Sequence, residues 1–308
     1  MTNSILDDFK NAWNKPNNSP AQLIIINVIV YLFLAILLVF SRLGGAQGFF
    51  EVVYNQFSIP PILTDFLMRP WTLFTYGFAH SLGGIFHILF NMLIFYWFSR
   101  LILEYLGNQK VISIYVMGVL AGGLAYLFVY NVIPFYVESA PSVKGMVGAS
   151  AAVYAVTVAA ATLSPNYTFY LLFLGPVKIK YIAAVTIFLS FLGSVGTNAG
   201  GNIAHLGGAF IGYLYVKQLQ NGNDIGGWVI RFTDFIQSFF KKPSNIKVTH
   251  RSEKAKTVKS RPVRKSAAKS SGEASQEQID AILDKISQSG YESLSKEEKQ
   301  QLFNASKK

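Results

Sequence analysis

Long apolar runs, separated by short polar stretches, fill most of the first two thirds of the chain. A helix needs roughly 17 to 25 mainly apolar residues to cross a bilayer, because lipid offers its backbone no other hydrogen-bond partner. Six runs approach or reach that length, at residues 23–40, 85–106, 111–132, 147–163, 181–195 and 203–219. The pattern therefore predicts an all-α polytopic membrane protein, with a six-helix membrane domain at residues 23–220 after an N-terminal segment at 1–22.

Two further apolar stretches are too short or too interrupted to span. The stretch "FYLLFLGPVKIKY" contains Gly175, Pro176 and two lysines, and it predicts a hairpin at the membrane surface before the fifth helix. The stretch "GGWVIRFTDFIQSFF" follows the sixth helix and has apolar residues at helical spacing. It predicts a helix that lies along the inner membrane surface, within a segment at residues 221–272 that also holds a basic linker.

The composition agrees with a membrane protein that has a basic tail. Only 14% of the residues are charged, against about 25% in soluble domains. The formal net charge is +11, and residues 241–269 contain eleven Lys or Arg against one acid, Glu253. Such a run is typical of a disordered linker, and it is also suited to anionic lipid at the cytoplasmic leaflet. A solvated linker and a lipid-binding segment both remain open.

The last segment, residues 273–308, predicts a small cytoplasmic helix pair. Ser275 with Gln278 and Ser295 with Glu298 have the spacing of capping boxes, and Gly290 is placed to end the first helix. The apolar residues expected on the inner faces of the pair are Ile279, Ile282, Leu283, Ile286 and Leu302.

Lysine and arginine in the short loops predict the orientation. If both termini are cytoplasmic, most of these residues lie inside, where they are favoured. The inside set is Lys10, Lys15, Arg100, Lys110, Lys178, Lys180 and the tail, and the outside set is Arg42, Arg69 and Lys144. The N-terminus lacks the pattern of a signal peptide. We expect a multi-pass protein of a bacterial cytoplasmic membrane, in which the second, fourth and sixth helices run inward.

Four polar side chains near the outer ends of these helices are candidates for chemistry. His87 and Asn91 lie four residues apart on the second helix, Ser150 lies near the start of the fourth, and His205 lies near the start of the sixth. Parallel helices bring these groups to one depth. Polar groups inside a span are costly, and they are functional candidates when they can meet one another.

Small residues allow the fourth and sixth helices to approach. Gly148 and neighbouring alanines smooth the fourth helix, and Gly208 and Gly212 form a small-residue seam on the sixth. Ser150 could then reach His205, and an imidazole base would activate its hydroxyl. A Ser–His dyad is favoured over a triad, because the acids of the body lie in loops or at the inner end of a helix, where none is well placed to orient His205. These acids are Glu51, Asp65, Glu104 and Glu138. Tyr154 lies on the face of Ser150 and could pack on the imidazole.

Less specific interpretations exist for each residue. A serine beside glycine often serves helix packing, and a lone histidine often makes a hydrogen bond between helices. Two histidines also suggest a metal, but the chain has no cysteine, and neither a nearby carboxylate nor the "HEXXH" motif accompanies them. We therefore expect no metal and no cofactor, and no nucleic-acid partner.

At these residues the chain resembles the rhomboid family of intramembrane serine proteases. The resemblance rests on "HILFN", on "GAS" followed by Tyr154, and on "AHLGGAFIG", in this order and within six spans. It implies Ser150 as nucleophile, His205 as general base, and His87 and Asn91 with the Ser150 amide as oxyanion stabilisers. It also implies transmembrane protein substrates.

The chain departs from the family pattern at two places. Ala151 stands where the family usually has glycine, and the usual Trp-Arg pair of the first loop is Trp71-Thr72, with Arg69 two residues earlier. The stretch "ILDKISQSGYESLSKEEKQQLFNASKK" is similar to the cytoplasmic extension of some bacterial rhomboids.

Two other functions remain as alternatives. One is a rhomboid-like pseudoprotease that binds membrane clients without cleavage, although the chain retains both Ser150 and His205. The other is a transporter, which would favour ionisable residues near the midplane of the membrane rather than at one face.

Overall fold

The computed structural model describes residues 4–171, 174–240, 276–289 and 293–305. The chain divides into two compact units, Met1–Ser244 and Asn245–Lys308. The described helices of the first unit are α1 (Ile5–Asn14), α2 (Ser19–Leu43), α3 (Gln47–Tyr54), α4 (Leu63–Leu67), α5 (Thr72–Thr75), α6 (Phe86–Leu106), α7 (Asn108–Val132), α8 (Pro134–Ser139), α9 (Ser150–Leu163), α10 (Ile179–Gly193), α11 (Ala199–Gln220) and α12 (Gly227–Phe240). Short 3₁₀ turns occupy Tyr76–Phe78 and Ala140–Ser142, and two strands, β1 (Thr168–Leu171) and β2 (Gly175–Lys178), form a sheet.

Each of the six runs predicted to span the membrane falls on a helix. By length and apolar composition, α2, α6 and α7 can cross a membrane, with 25, 21 and 25 residues. The apolar helices α9 and α10 are shorter, with 14 and 15 residues. The glycine-rich α11 has 22 residues.

The short helix α9 lies at the centre of the first unit. It packs against α6, α7, α10 and α11, and ten of its fourteen residues are buried. The outer sides of α2, α6 and α10 instead expose large apolar side chains, for example Phe40, Phe90 and Phe188 at 55–70% of their surface. This distribution, small residues inside and large apolar residues outside, suits a bundle surrounded by lipid.

Glycines set the distance between the central helices. A Cβ on Gly208 would lie 2.0 Å from the Ala151 carbonyl oxygen, and one on Gly212 would lie 2.2 Å from that of Ala155. The backbones of α9 and α11 are therefore in direct contact, in the way that the small-residue seam predicts. A Cβ on Gly122 of α7 would likewise lie 2.5 Å from the Ala151 Cβ. Sequence reasoning did not single out this third helix.

The segment between α2 and α6 is held against the bundle by hydrogen bonds. Buried Tyr115 of α7 donates to the Gly77 carbonyl at 2.8 Å and contacts Asn27 of α2. Tyr76 donates to the Val119 carbonyl at 2.6 Å. Arg69 donates from Nη1 to the carbonyl at the end of α3, at 2.7 Å. The side chain of Arg69 therefore stabilises the end of a helix in this loop.

The predicted surface hairpin is a small antiparallel sheet. Strand β1 pairs with β2 in a register that places Phe169 opposite Val177, and residues 172–173 at its turn lie outside the described residues. The Phe169 ring packs edge-on against Phe98 of α6, with centroids 4.9 Å apart. This contact fixes the hairpin to the bundle.

The structure places α12 with the helical unit, whereas the sequence grouped it with the linker at residues 221–272. Helix α12 packs against α7, and its Val229 side chain is buried. Residues 241–269, which carry the basic run, lie outside the described residues.

The second unit contains two described helices, α13 (Gln276–Ser289) and α14 (Lys296–Ala305). Ser295 and Glu298 make the two reciprocal hydrogen bonds of a capping box, whereas Ser275 and Gly290 lie outside the described residues. Leu283, one of the residues predicted on the apolar faces, is 49% exposed. Ile282 of α13 and Leu294, which precedes α14, are buried.

Candidate active site

Ser150 is the first residue of α9, and the loop before it is tied to the rest of the unit. Met146 and Ile59 exchange two backbone hydrogen bonds, of 2.9 and 3.0 Å. Two residues later, the Gly148 amide donates to the Tyr76 carbonyl at 2.9 Å. These bonds fix the direction in which the chain enters α9, and with it the position of Ser150.

The role predicted for Gly148 in helix packing was wrong. Gly148 was expected to smooth the start of the fourth helix, but it lies in the turn before α9 and not on the helix. Its φ of +147° lies in a region that residues with a side chain rarely adopt, and a Cβ there would stand 3.5 Å from both the His87 ring and the Ser150 hydroxyl. Glycine is favoured here by the backbone conformation of the turn into α9, whereas a Cβ would make only ordinary van der Waals contacts.

The structure brings Ser150 and His205 together. The Ser150 Oγ lies 2.8 Å from the His205 Nε2, which is hydrogen-bond distance between a hydroxyl and an imidazole. The close approach of α9 and α11 at Gly208 makes this contact possible, since a side chain at that position would separate the helices. The small residues around "GAS" therefore allow the two helices to come close enough for Ser150 to reach His205.

The ring of Tyr154 packs on the imidazole of His205. The two rings are stacked with centroids 4.2 Å apart and planes only 9° from parallel. Tyr154 lies one helical turn after Ser150, so α9 supplies both the hydroxyl and the surface on which the imidazole rests. The structure brings together the three residues that the sequence singled out on these two helices.

A fourth residue, Ser190 of α10, contacts the other side of the imidazole. Its Oγ lies 3.1 Å from the His205 Nδ1 and 2.9 Å from the Tyr154 hydroxyl, and the side chain is buried. Sequence reasoning missed Ser190, because a serine in an apolar helix is usually assigned to packing. The only available signal was a polar residue in the otherwise apolar stretch "TIFLSFLG".

The hydrogen bonds among Tyr154, Ser190 and His205 can be assigned a donor and an acceptor at each step. The Tyr154 hydroxyl reaches the Thr186 carbonyl at 3.4 Å, and a carbonyl can only accept. The Tyr154 oxygen is then free to accept from Ser190, whose own oxygen accepts from Nδ1–H of the imidazole. This order leaves a lone pair on His205 Nε2, the nitrogen that faces Ser150.

His87 and Asn91 line the same cavity from α6. The cavity has a volume of about 450 Å³, and its walls also include Ser150 and His205. Asn91 is largely buried, and its Nδ2 donates one hydrogen to the His87 carbonyl of its own helix at 2.7 Å. The second hydrogen on that nitrogen remains to donate elsewhere. All four polar residues predicted to share a depth therefore surround one space.

His80, in the segment before α6, was not anticipated. It is completely buried, and its ring meets the His87 ring edge-on with centroids 5.3 Å apart. Neither ring nitrogen has a hydrogen-bond partner among the residues that the structure describes. Burial, with a smaller effect of nearby His87, lowers the pKa of His80 to about 3. His80 is thus a neutral ring that packs behind His87.

The arrangement is suited to acyl transfer rather than to metal binding. Nucleophilic attack on a carbonyl requires a hydroxyl, a base whose facing nitrogen is unprotonated, and hydrogen-bond donors for the developing oxyanion. The site contains groups of all three kinds. Within the described residues, no three His, Cys, Asp or Glu side chains are grouped so as to hold a metal ion. Among the described residues, the group at hydrogen-bond distance from the His205 Nδ1 is the Ser190 hydroxyl and not a carboxylate.

Comparisons with known proteins agree with the resemblance noted in the sequence. Residues 68–220 match the rhomboid domain family, and residues 271–308 match a family of unknown function (DUF6576). The chain is 29% identical over 165 residues to "RHOMBOID-like protein 12, mitochondrial" from Arabidopsis thaliana, an alignment that covers 50% of this chain and 48% of that protein. The chain thus spans about half the length of this curated relative. A rhomboid domain, together with apolar helices of this length, indicates a membrane protein.

Proposed function

Because the chain belongs to the rhomboid family, we propose that it is a serine endopeptidase that hydrolyses a peptide bond in or next to the transmembrane segment of a substrate protein. The observation that carries this proposal is the 2.8 Å contact between Ser150 Oγ and His205 Nε2, inside a cavity that also holds His87 and Asn91.

In the proposed reaction, the Ser150 oxygen attacks the scissile carbonyl carbon while His205 Nε2 takes the hydroxyl proton. The negative charge that develops on the carbonyl oxygen is stabilised by the Ser150 amide, by the free N–H of Asn91, and by His87. His205 then gives the proton to the leaving amine, and an acyl-enzyme ester remains on Ser150. A water molecule, deprotonated by the same imidazole, hydrolyses this ester and restores the serine.

In this proposal, Tyr154 and Ser190 both act on the base. Tyr154 supports the imidazole plane by stacking, and Ser190 accepts Nδ1–H, which keeps the bare nitrogen towards Ser150. An aspartate does this in the Ser-His-Asp triad. Here a neutral hydroxyl takes that place, which avoids the cost of a buried carboxylate among apolar helices.

We further propose that six helices cross the membrane, with both termini on the cytoplasmic side of a bacterial cytoplasmic membrane. The 14 residues of α9 cover only about 21 Å, less than the roughly 30 Å of a hydrocarbon core. If the far end of α9 reaches the inner interface, Ser150 lies below the outer one, within the membrane. Reporter fusions after Gln220 and within residues 140–148 would test this topology.

The site also suggests what the substrate needs. A peptide bond inside a regular helix is shielded by its own turn, so helix-breaking residues near the bond should favour cleavage. The walls next to Ser150 are formed partly by Gly148, Ala151 and Gly201, whose small size lets a substrate backbone come close to the hydroxyl. We expect small side chains beside the bond, because they permit this approach.

The decisive experiment incubates purified full-length protein with a generic transmembrane substrate in detergent and in liposomes. Wild-type protein should produce a single cut that is abolished in Ser150→Ala and in His205→Ala, and the double variant should be little worse than either, because the two residues act as one unit. A fluorophosphonate probe should label Ser150 in wild-type protein only. Binding of the substrate without cleavage or labelling would instead favour the client-binding alternative.

A separate proposal concerns the basic run at residues 241–269. Its eleven cationic side chains favour binding to anionic lipid, at about 1 kcal/mol for each charge near the surface. Co-sedimentation of the isolated run with anionic vesicles should weaken as salt screens the charges, and no binding at low salt would leave only a solvated linker.

A further inference from the structure

Helix α12 has an apolar side that no described part of the protein covers. Its members are spaced i, i+4, i+7, i+8 and i+11, so they share one side of the helix. They are Trp228, Phe232, Phe235, Ile236 and Phe239, with 42–69% of each side chain exposed. We refer to these five residues as the aromatic side of α12. Exposed apolar area of this kind marks an interaction surface in a folded protein.

A clasp centred on Asp224 fixes the beginning of α12. The Asp224 carboxylate pairs with Lys110 of α7, accepts from the Tyr215 hydroxyl of α11 at 3.3 Å, and accepts from the Gly226 amide at 3.1 Å. The hydrogen bond from Lys110 lowers the pKa of Asp224, so the carboxylate is ionised at neutral pH. Three parts of the chain thus meet at one side chain.

Close packing fixes the direction of α12 as well as its start. A Cβ on Gly226 would lie 2.5 Å from the Tyr215 ring and 2.8 Å from the Ser113 Cβ. Ser113 donates from Oγ to the Gly226 carbonyl at 3.2 Å, and Val229 is only 1% exposed. Val229 holds one side of α12 against α7, and the aromatic side lies next to that side, with 42–69% of each side chain exposed.

The clasp lies at the ends of α7 and α11 where charged side chains collect. Lys217, near the end of α11, has its ammonium 5.9 Å from the centroid of the Tyr213 ring, and Lys and Tyr are typical of the boundary between membrane and water. With 14 residues, α12 is as short as α9, but α9 is enclosed by four other helices, whereas α12 packs mainly against α7. About 21 Å of helix with one apolar and one polar side is suited to the membrane surface.

We propose that α12 is a membrane-surface anchor whose aromatic side inserts into the lipid leaflet at this end of α7 and α11. The exposed polar residues Arg231, Asp234 and Ser238 lie on a different side of the helix and face the headgroups and water. In sequence, Lys241 and Lys242 follow directly, and lysine is a residue type suited to the membrane interface. The lipid, and not a protein partner, is the occupant to which this surface is matched. The inference requires a membrane-embedded chain, but it does not depend on proteolysis.

The chain offers a clean test because it contains no cysteine. Single cysteines would be placed on the aromatic side by Phe232→Cys, Phe235→Cys and Phe239→Cys, and on the polar side by Arg231→Cys and Ser238→Cys. Each full-length variant would be spin-labelled and reconstituted in nanodiscs of phosphatidylcholine and phosphatidylglycerol. Collisions with oxygen, which concentrates in lipid, would be compared with collisions with a water-soluble nickel chelate.

We expect labels on the aromatic side to favour oxygen and labels on the polar side to favour nickel, with a period close to 3.6 residues. Equal access of nickel to both sides would overturn the proposal, because α12 would then lie in water. Protection of the aromatic side from both reagents would also overturn it, because a protein partner or a second copy of the chain would then cover the helix.

The clasp has its own matched comparison. Asp224→Asn should increase the mobility of the label at position 232 several-fold, whereas Asp234→Asn, which changes an exposed carboxylate of α12 itself, should not change it. Equal mobility in the two variants would show that the clasp does not hold the helix, and it would overturn that part of the proposal. A cleavage assay on the same samples is read separately, so a failed anchor and a failed protease are distinguishable.

Discussion

Removal of the Ser190 hydroxyl tests how the base is oriented. In Ser190→Ala, the His205 Nδ1–H loses its acceptor at 3.1 Å, and the Tyr154 oxygen loses its donor at 2.9 Å. Ser190 is 2% exposed, so water cannot readily replace the hydroxyl. An unsatisfied buried donor costs about 1 to 3 kcal/mol, which corresponds to about a 5- to 150-fold loss when the cost falls on the active tautomer.

The loss should appear in kcat and leave KM unchanged. Ser190 lies behind the imidazole, and it is not among the residues that line the substrate cavity. The matched control is Ser194→Ala, which removes the hydroxyl of a half-buried serine just after the same helix. That hydroxyl donates to the Phe191 carbonyl of its own turn, and the variant should cleave at the wild-type rate. Both variants would be assayed on a transmembrane substrate in detergent, with unfolding measured alongside.

A second readout separates orientation of the base from simple packing. The chain has only four histidines, so ¹⁵N spectra of histidine-labelled protein can identify which nitrogen of His205 carries the proton. Wild-type protein should show a protonated Nδ1, and Ser190→Ala should show a mixture of tautomers. An unchanged tautomer together with an unchanged kcat would refute the reasoning, and lower stability with an unchanged tautomer would assign Ser190 to packing alone.

Three further predictions concern packing, transition-state stabilisation and the boundary of the folded unit. Gly208→Ala should lower the free energy of unfolding in detergent by about 1 to 3 kcal/mol, because its methyl group would overlap a carbonyl oxygen of the neighbouring helix. The control is Gly48→Ala, whose methyl group would point into open space. An equal effect of the two substitutions would contradict the seam. Asn91→Ala should lower kcat without raising KM, by less than the about 10²- to 10³-fold loss seen for a single oxyanion donor in a soluble protease, since other donors remain; an unchanged kcat would assign Asn91 to helix packing. A chain that ends after Phe240 should unfold at the same temperature as the full chain and cleave substrate at the same rate. A chain that ends after Gly222 lacks α12 and its clasp, and it should unfold at a lower temperature. Identical unfolding temperatures of the two truncated chains would show that α12 does not stabilise the fold.

Much of the site could be predicted because membrane helices restrict where polar residues are tolerated. A hydroxyl, an amide and two imidazoles near the ends of three helices stand out against apolar surroundings, and helix direction places them at one depth. The sequence likewise predicted the seam of Gly208 and Gly212, since only small residues permit backbone contact. The apolar runs therefore predicted a helical membrane protein, and the placement of its few polar residues pointed to Ser150 and His205 as candidates for its chemistry.

Other features depended on distances between residues that are remote in sequence. Ser190 resembles any packing serine until α10 places it beside the imidazole, and Gly148 resembles any seam glycine until the chain turns sharply into α9. The clasp on Asp224 joins residues more than one hundred positions apart. Periodicity reports which side of a helix is apolar, but it does not report which neighbour that side meets. Only the tertiary structure decided these contacts, because they depend on the packing of one helix against another and not on the preferences of either helix alone.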